Sequence, residues 1–395
     1  MSAGGGSGDI RMERVDVVVA GCGVLGLAAA WQLARRGLAI AAIDRARCGG
    51  AASGATFAWV NATSKTESEP YHRLNAAGLA AYERLALEAG AEAIGLCGGG
   101  SLQWAQPANP RLAGPLRRQF ETLGAWGYDV EWLDATAMRR RWPMIAISEG
   151  AVGLFAPADR WIEMPRLLDW LAEDFMRRGG RLLENRPLIG VGRDASGRVA
   201  SVATPQGEIE TRALLIAGGA ETPDLVALAA GEAALATGFP TRRVPGFLVE
   251  VPAVDAAAGL DAVLWTPDEE GFHLRPTARG SLLLGADDID AWVGEGGNPS
   301  ITARAVAALI ERARDWLPRL SPAGLEPSWR IGRRVMPVDG HSILGPLAAA
   351  PGCWVAATHS GVTLALHVGR LLADEIATGK AAAELDWFRP SRFGL

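Results

Sequence analysis

The sequence predicts an α/β chain combined with an α+β part: a parallel-sheet layer assembled from separated pieces, into which an antiparallel-sheet domain is inserted. Three observations predict it. The apolar run Val15 to Ala20 leads through GCGVLG into an Ala/Leu-rich helical stretch and a second apolar run ending at Asp44. Residues Gly246 to Gly285 hold four short alternating stretches, FLVEV, AVLWT, FHLRP and SLLLG, separated by turns. Between and after these blocks the helix–strand alternation resumes, so the first layer is interrupted rather than continuous.

The opening strand–turn–helix–strand is a βαβ beginning of Rossmann-like type. From Pro70 to Gly90 the pattern is helical, and the stretch up to Gly150 is rich in Trp, Pro and Gly without a sustained period, which reads as an insertion. A helix returns at Met164 to Gly179. RLLE, PLIGVGRD, the turn DASGR, VASVAT and RALLIAGGA follow as an α/β layer carrying a hairpin. The four alternating stretches then suggest an antiparallel sheet and a second domain. The end, CWVAATHSGVTLALHVGRLLADEIATG, is a strand, a turn and an amphipathic helix closed by Gly379. The expected division gives residues 10–64, 151–240 and 326–395 to the dinucleotide domain and 65–150 and 241–325 to the inserted domain. No internal repeat is visible.

Size and charge narrow the function. A chain of 395 residues exceeds what one core supports, and 49% apolar content is ample for two. A net charge of −5 with no Lys/Arg block excludes a nucleic-acid partner. The start, MSAGGGSGDIRMER, lacks the apolar stretch of a signal peptide and reads as a flexible tail. No segment approaches the roughly 18 uninterrupted apolar residues of a membrane helix, so no membrane span and a cytoplasmic location are expected. Cys22, Cys48, Cys97 and Cys353 are scattered without metal-ligand spacing and read as buried or surface thiols; no metal is expected.

The chemistry begins at Gly21, Gly23 and Gly26. In G-x-G-x-x-G they serve a tight turn, close approach of the backbone to a pyrophosphate, and close packing of helix on strand. The helix beginning there directs free N–H groups and its positive end at the phosphates. Asp44 follows at about the 20-residue distance expected of an acid that binds ribose hydroxyls. This pattern serves NAD and FAD alike. Later, LLIAGGA ends a strand with Gly218 and Gly219, where backbone can pass close to a ligand. ATHSGVTLA places Ser360 and Gly361 at a second helix start. Taken singly, each of these also fits an ordinary turn or cap.

Together and in this order they resemble the D-amino-acid oxidase-like family of FAD-dependent oxidoreductases, over most of the chain from Val15 to the closing LDWFRPSRF. The resemblance implies FAD rather than NAD, a FAD domain in discontinuous pieces, and an antiparallel substrate domain. It gives Gly21, Gly23, Val24 and Gly26 the pyrophosphate, and Asp44 with Arg45 the adenosine end. Ala52, Ser53, Phe57 and Ala58 line the flavin's path, and the backbone of Leu188 meets the adenine. Gly218 and Gly219 pass near the cofactor, and His359, Ser360, Gly361, Val362 and Thr363 lie against the flavin's pyrimidine edge. Sarcosine oxidases of the family attach their flavin to a cysteine at the position matched by Gly332, which implies non-covalent FAD here. Their lysine near flavin N5 is matched by Leu283, which hints at slow oxygen reduction and a dehydrogenase.

For substrate, RIGRRVMPVDGHSILG resembles the family's G-x-R-P-x-T-x-D-G segment, with Val335 in place of the proline. Arg334 then either grips a substrate carboxylate through a two-pronged pair, with Arg333 as rival, or is with Arg333 a surface arginine. In FHLRP, His273 and Arg275 share one strand face, which looks either into the pocket or out to solvent. His359 is a third candidate, either touching substrate or capping. Trp104, Trp126, Trp132, Trp142 and Trp161 crowd the insertion, as an aromatic pocket or as core packing. The expected reaction is FAD-dependent oxidation of the C–N bond of an amino acid or secondary amine by hydride transfer to flavin N5, with hydrolysis of the imine. Oxygen or a quinone or other electron carrier would reoxidise the flavin. The alternatives are a 2-hydroxy-acid dehydrogenase or oxidase on the same scaffold, and a flavoprotein subunit of a larger complex.

Overall fold

A computed structural model describes residues 13–231, 238–252, 255–266, 270–294, 298–321 and 326–395. The expected N-terminal tail lies outside the described residues, apart from Glu13 and Arg14.

A six-stranded sheet runs in the order Arg181–Leu183, Ile40–Ile43, Val17–Ala20, Ala213–Ile216, Cys353–Ala357, Ile343–Pro346. All its pairings are parallel except the last. Both faces are covered, which is why these strands read as unbroken apolar runs. Val17 and Val19 pack with the helices Val24–Ala34, Glu69–Ala89, Met164–Arg177 and Gly361–Thr378. Val18 and Ala20 pack on the other side with Val199, Val202 and Ile209 of a four-stranded sheet. In the first helix Val24–Ala34 every residue but Gln32 is buried, so it is apolar all round rather than striped.

The second layer is an eight-stranded sheet in the order Ser328–Pro337, Thr241–Val251, Leu282–Gly285, His273–Pro276, Val263–Trp265, Ser101–Ala105, Val152–Ala156, Glu131–Asp134. Its pairings are antiparallel except that between Val263–Trp265 and Ser101–Ala105. The four alternating stretches all lie in it. Two further strands differ from the expected division: Val152–Ala156 and Ser328–Pro337, grouped by sequence with the parallel sheet, hydrogen-bond into this one. Pairing partner, not chain proximity, decides a strand's sheet, and Ser328–Pro337 pairs with Thr241–Val251 over ten residues. The insertion is also more ordered than its lack of period implies, holding the helices Ala113–Ala125 and Ala135–Arg141.

Candidate active site

Four strands of the six-stranded sheet end at one crevice. The residues that follow them, Gly21, Asp44, Ala217 and Thr358, all line a single cavity of about 1150 Å³. Ligands of open α/β sheets bind outside these carboxyl ends. The volume exceeds the roughly 300–1,000 Å³ of ordinary small-molecule sites, as a dinucleotide plus substrate requires.

At one end Gly21 sits at φ +107°, and a Cβ there would overlap the Ala217 carbonyl. A Cβ on Gly23 would come within 3.2 Å of Ser53 Oγ, filling the cradle. Gly26 does not line the cavity; a Cβ there would overlap the Gly21 carbonyl, so it serves the helix–strand contact. The first helix begins here without a side-chain cap or an acidic residue in its first turn, leaving its positive end open. The Val24 N–H donates to Ser53 Oγ at 3.0 Å, which ties the loop at residues 51–58 to the glycine turn. Asp44 accepts from the backbone N–H groups of Cys22 (2.7 Å) and Ala46 (2.9 Å), so its carboxylate is fixed at the rim. Arg45 pairs with Glu221 at 3.1 Å beside Leu188, Gly218 and Gly219, all of them lining residues.

Along the middle run Ala52, Ser53, Phe57 and Ala58. Ala58 adopts φ +59°, rare for a residue with a Cβ, and its N–H donates to Thr56 Oγ1 at 3.0 Å. Arg275 lies outside the lining, contrary to its grouping with His273: its Nε donates to the Phe57 carbonyl at 2.6 Å and Nη1 pairs with Glu163 at 3.2 Å. Arg275 therefore positions Phe57 from behind. His273 does line the cavity, packs edge-on against Phe57 at 4.5 Å, and shares a hydrogen bond with the Gly271 carbonyl. Burial lowers its pKa, so it is neutral.

At the far end lies the start of the last helix, Gly361–Thr378, again with no side-chain cap and no acid in the first turn. His359, Ser360, Gly361, Val362 and Thr363 all line the cavity. The helix Glu69–Ala89 clamps this turn: Tyr71 and Ser360 hydroxyls share a hydrogen bond of 2.8 Å, and the Tyr82 hydroxyl donates to the Val362 carbonyl at 2.6 Å. Burial first, then the charges of Lys65, Arg334 and Arg242, push the His359 pKa down to about 3. The imidazole is thus neutral and surrounded by cations.

Arg330 and Arg334 project from the same face of the strand Ser328–Pro337 as Gly332, whose added Cβ would lie 2.8 Å from the Ala55 carbonyl. Each is matched to an acid: Arg330 Nη1 to Glu250 at 3.1 Å, and Arg334 Nη2 to Asp290. Arg334 Nη2 also donates to the Pro245 carbonyl at 2.7 Å, and its Nε is buried without a partner beneath Gly246. The two-pronged grip expected of Arg334 is therefore reduced in this arrangement to one open donor, Nη1. Burial raises the Asp290 pKa to about 6 despite that arginine. Arg333, the rival, is exposed at the rim.

The arrangement fits FAD: a glycine cradle that side chains would fill, two uncapped helix N-termini facing one long cavity, and a cationic far end. The family of FAD dependent oxidoreductases matches residues 16–375. The chain belongs to this family. Its cofactor is FAD, and it is an oxidoreductase. It is 27% identical over 386 residues to glycine oxidase of Geobacillus kaustophilus (strain HTA426), covering 96% of this chain and 97% of that one. It is also 27% identical over 395 residues to an opine oxidase subunit of Agrobacterium tumefaciens (strain Ach5), covering 97% and 98%. The crystal structure of the G. kaustophilus glycine oxidase superposes with a TM-score of 0.81 at 26% identity, covering 96% of this chain and 99% of that one. L-proline dehydrogenase from P. horikoshii shares the fold, with a TM-score of 0.82 at 19% identity over 97% and 98% of the two chains. No helix among the described residues is long and apolar enough to cross a membrane.

Within this FAD dependent oxidoreductase several lining residues carry no motif: Lys65, Trp59, Trp265, Glu221, Asp290 and Arg330. Period-two alternation from Arg334 reaches Arg330; the others arrive through long-range packing. Trp104, Trp126, Trp132, Trp142 and Trp161 are absent from the lining, and Trp104 and Trp142 are core residues. The cavity's aromatic wall is instead Trp59 against Trp265, with ring centroids 5.6 Å apart. Leu283, matched by resemblance to a lysine beside the flavin, is buried inside the eight-stranded sheet and does not line the cavity. The lysine that does is Lys65.

Proposed function

We propose that this enzyme oxidises the C–N bond of an amino acid or secondary amine, and that the carboxylate of the substrate binds Arg334 at the far end of the cavity. The observation that carries this reading is the open Nη1 of Arg334 in a cavity continuous with the glycine cradle. FAD, when bound, supplies the chemistry, accepting a hydride from the carbon next to nitrogen at N5. The residues of the chain bind and orient. Arg334 fixes the carboxylate, and Trp59 with Trp265 walls the substrate from solvent. The nearby cations of Lys65, Arg330 and Arg334 disfavour a protonated amine, which keeps the nitrogen lone pair available. His359 is neutral, adds no charge and is a contact rather than a base. His273 supports Phe57. The imine then hydrolyses in water.

None of the four cysteines lines the cavity, and Gly332 offers no side chain, which supports non-covalent FAD. The free thiols suit a cytoplasmic location. Oxygen or a quinone or protein carrier takes the electrons onward; rapid mixing of reduced holoenzyme with dioxygen tells these apart.

The test is anaerobic bleaching of the flavin's visible band. Bleaching by amines or amino acids and not by 2-hydroxy acids supports the reading; the reverse assigns the hydroxy-acid reaction. A second reading is favoured by the A. tumefaciens relative, itself one component of an opine oxidase and matched along nearly its whole length: the chain works within a complex. Turnover of the purified single chain with an artificial acceptor separates the two.

A further inference from the structure

We infer that the substrate carries two carboxylates, one for Arg334 and a second for Lys65. This deepens the amine-oxidation reading above and rests on it.

Lys65 lines the cavity, and among the described residues its ammonium group makes no hydrogen bond or ion pair. The two strand arginines differ, each having its own carboxylate, Glu250 or Asp290. Lys65, His359 and Arg334 line the same cavity, and the Lys65 segment is tied through Asn61 to Thr363 in the turn that carries His359, so both charges serve the far end of that cavity. A substrate with one carboxylate would satisfy Arg334 and leave Lys65 as an unmatched cation in a partly enclosed site. A second carboxylate removes that penalty.

The segment carrying Lys65 is held more firmly than a surface lysine needs. Asp159, fully buried, accepts hydrogen bonds from Thr63 Oγ1 (2.7 Å), Ser101 Oγ (2.6 Å) and the Tyr128 hydroxyl (2.6 Å). Gln119 donates to the Thr63 carbonyl at 2.8 Å, and the Lys65 N–H closes a turn onto the Ala62 carbonyl at 3.1 Å. On the other side, the Asn61 N–H donates to Thr363 Oγ1 at 3.2 Å, tying the segment to the start of the last helix. Lys65 thus emerges from a fixed turn tied on one side to the buried Asp159 and on the other to Thr363 of the cavity lining. Pre-organisation of this kind lowers the ordering cost of binding an anion.

The shared chemistry is an amine flanked by two carboxylates. It can come from an amino acid with an acidic side chain or from an N-carboxyalkyl amino acid.

The experiment uses the FAD-loaded enzyme in two arms. In the first, kcat/KM is measured for glutamate against alanine and for iminodiacetate against N-methylglycine, in the native enzyme and in Lys65→Met and Lys65→Arg. The inference expects at least one dicarboxylate to exceed its monocarboxylate counterpart roughly tenfold or more, the size of one charged hydrogen bond. That ratio should collapse in Lys65→Met and be largely rescued in Lys65→Arg. Which pair shows it identifies the source. In the second arm, binding of glutarate and of butyrate is read from the perturbation of the flavin's visible spectrum. Glutarate should bind more tightly, and Lys65→Met should abolish the difference. Equal binding of the two acids, or a ratio unmoved by Lys65→Met, overturns the inference. If no amine bleaches the flavin, the amine-oxidation reading itself fails. If monocarboxylate amines bleach it as well as dicarboxylates, only the present inference fails.

Discussion

Replacing Arg334 by alanine separates its grip on substrate from its place in the protein. In the native enzyme Arg334 Nη2 holds Asp290, whose other oxygen accepts the Phe247 N–H at 2.6 Å. Asp290 is 5% exposed, so the variant strands a nearly buried carboxylate. Breaking a buried pair by removing one partner costs about 3–5 kcal/mol. The Asp290 pKa is already about 6, and loss of the arginine pushes it higher. The variant therefore protonates Asp290 at neutral pH, which limits the stability loss to roughly 3 kcal/mol, the lower end of that range. In Arg334→Ala with Asp290→Asn no charge is left behind, and most of the loss should return. Catalysis should not return. One charged hydrogen bond to substrate is worth about 1.5–3 kcal/mol, which is roughly 10- to 150-fold in kcat/KM. Urea unfolding and steady-state kinetics at saturating FAD, on both variants, read the two effects independently. An unchanged kcat/KM in the double variant would remove Arg334 from the site. A double variant no more stable than the single one would refute the ion-pair reasoning.

The same geometry bears on flavin retention and on pH. Gly21→Ala places a Cβ against the Ala217 carbonyl at a positive φ, so the purified variant should carry little flavin; a native flavin-to-protein absorbance ratio would contradict the cradle. The Asp290 carboxyl, raised from 3.8 to about 6, makes a contribution to stability that is fully present below the lower value and lost as pH rises through the upper one. Relative to Asp290→Asn, the native enzyme should thus lose about 3 kcal/mol of urea stability across that window. Below about pH 6 the neutralised Asp290 no longer offsets the charge of Arg334, so a strongly acidic monocarboxylate inhibitor should bind more tightly there. Binding that weakens as pH falls would contradict the pairing.

The cofactor half of the site is legible in the sequence because it is local. GCGVLG, Asp44 and THSGVTLA each sit at the end of a strand, and the crevice forms wherever parallel strands end together. Gly26 keeps the packing job its motif implies although it touches no cavity. The substrate half is not legible in the same way. Strand alternation leaves the face of Arg275 open between pocket and solvent, and it faces neither: its guanidinium is consumed by the Phe57 carbonyl and Glu163, partners 218 and 112 residues away. Asp290, which decides how Arg334 presents itself, lies in a short helix with no motif. Lys65 escapes sequence reasoning because its role depends on Asp159 and Thr363, distant along the chain. The strand Ser328–Pro337 is misplaced from sequence because an isolated strand carries no signal of its partner. Local turns fix cofactor loops, whereas charge pairing between segments distant along the chain fixes the substrate corner.

The proposed reaction is oxidation of a C–N bond next to a carboxylate held by Arg334. Anaerobic titration of the FAD-loaded enzyme with amino acids, secondary amino acids and the matching 2-hydroxy acids tests it most directly. The flavin's visible band should bleach with one of the nitrogen compounds and stay unchanged with its hydroxy analogue. Bleaching by the hydroxy acid, with the amine inert, would contradict it.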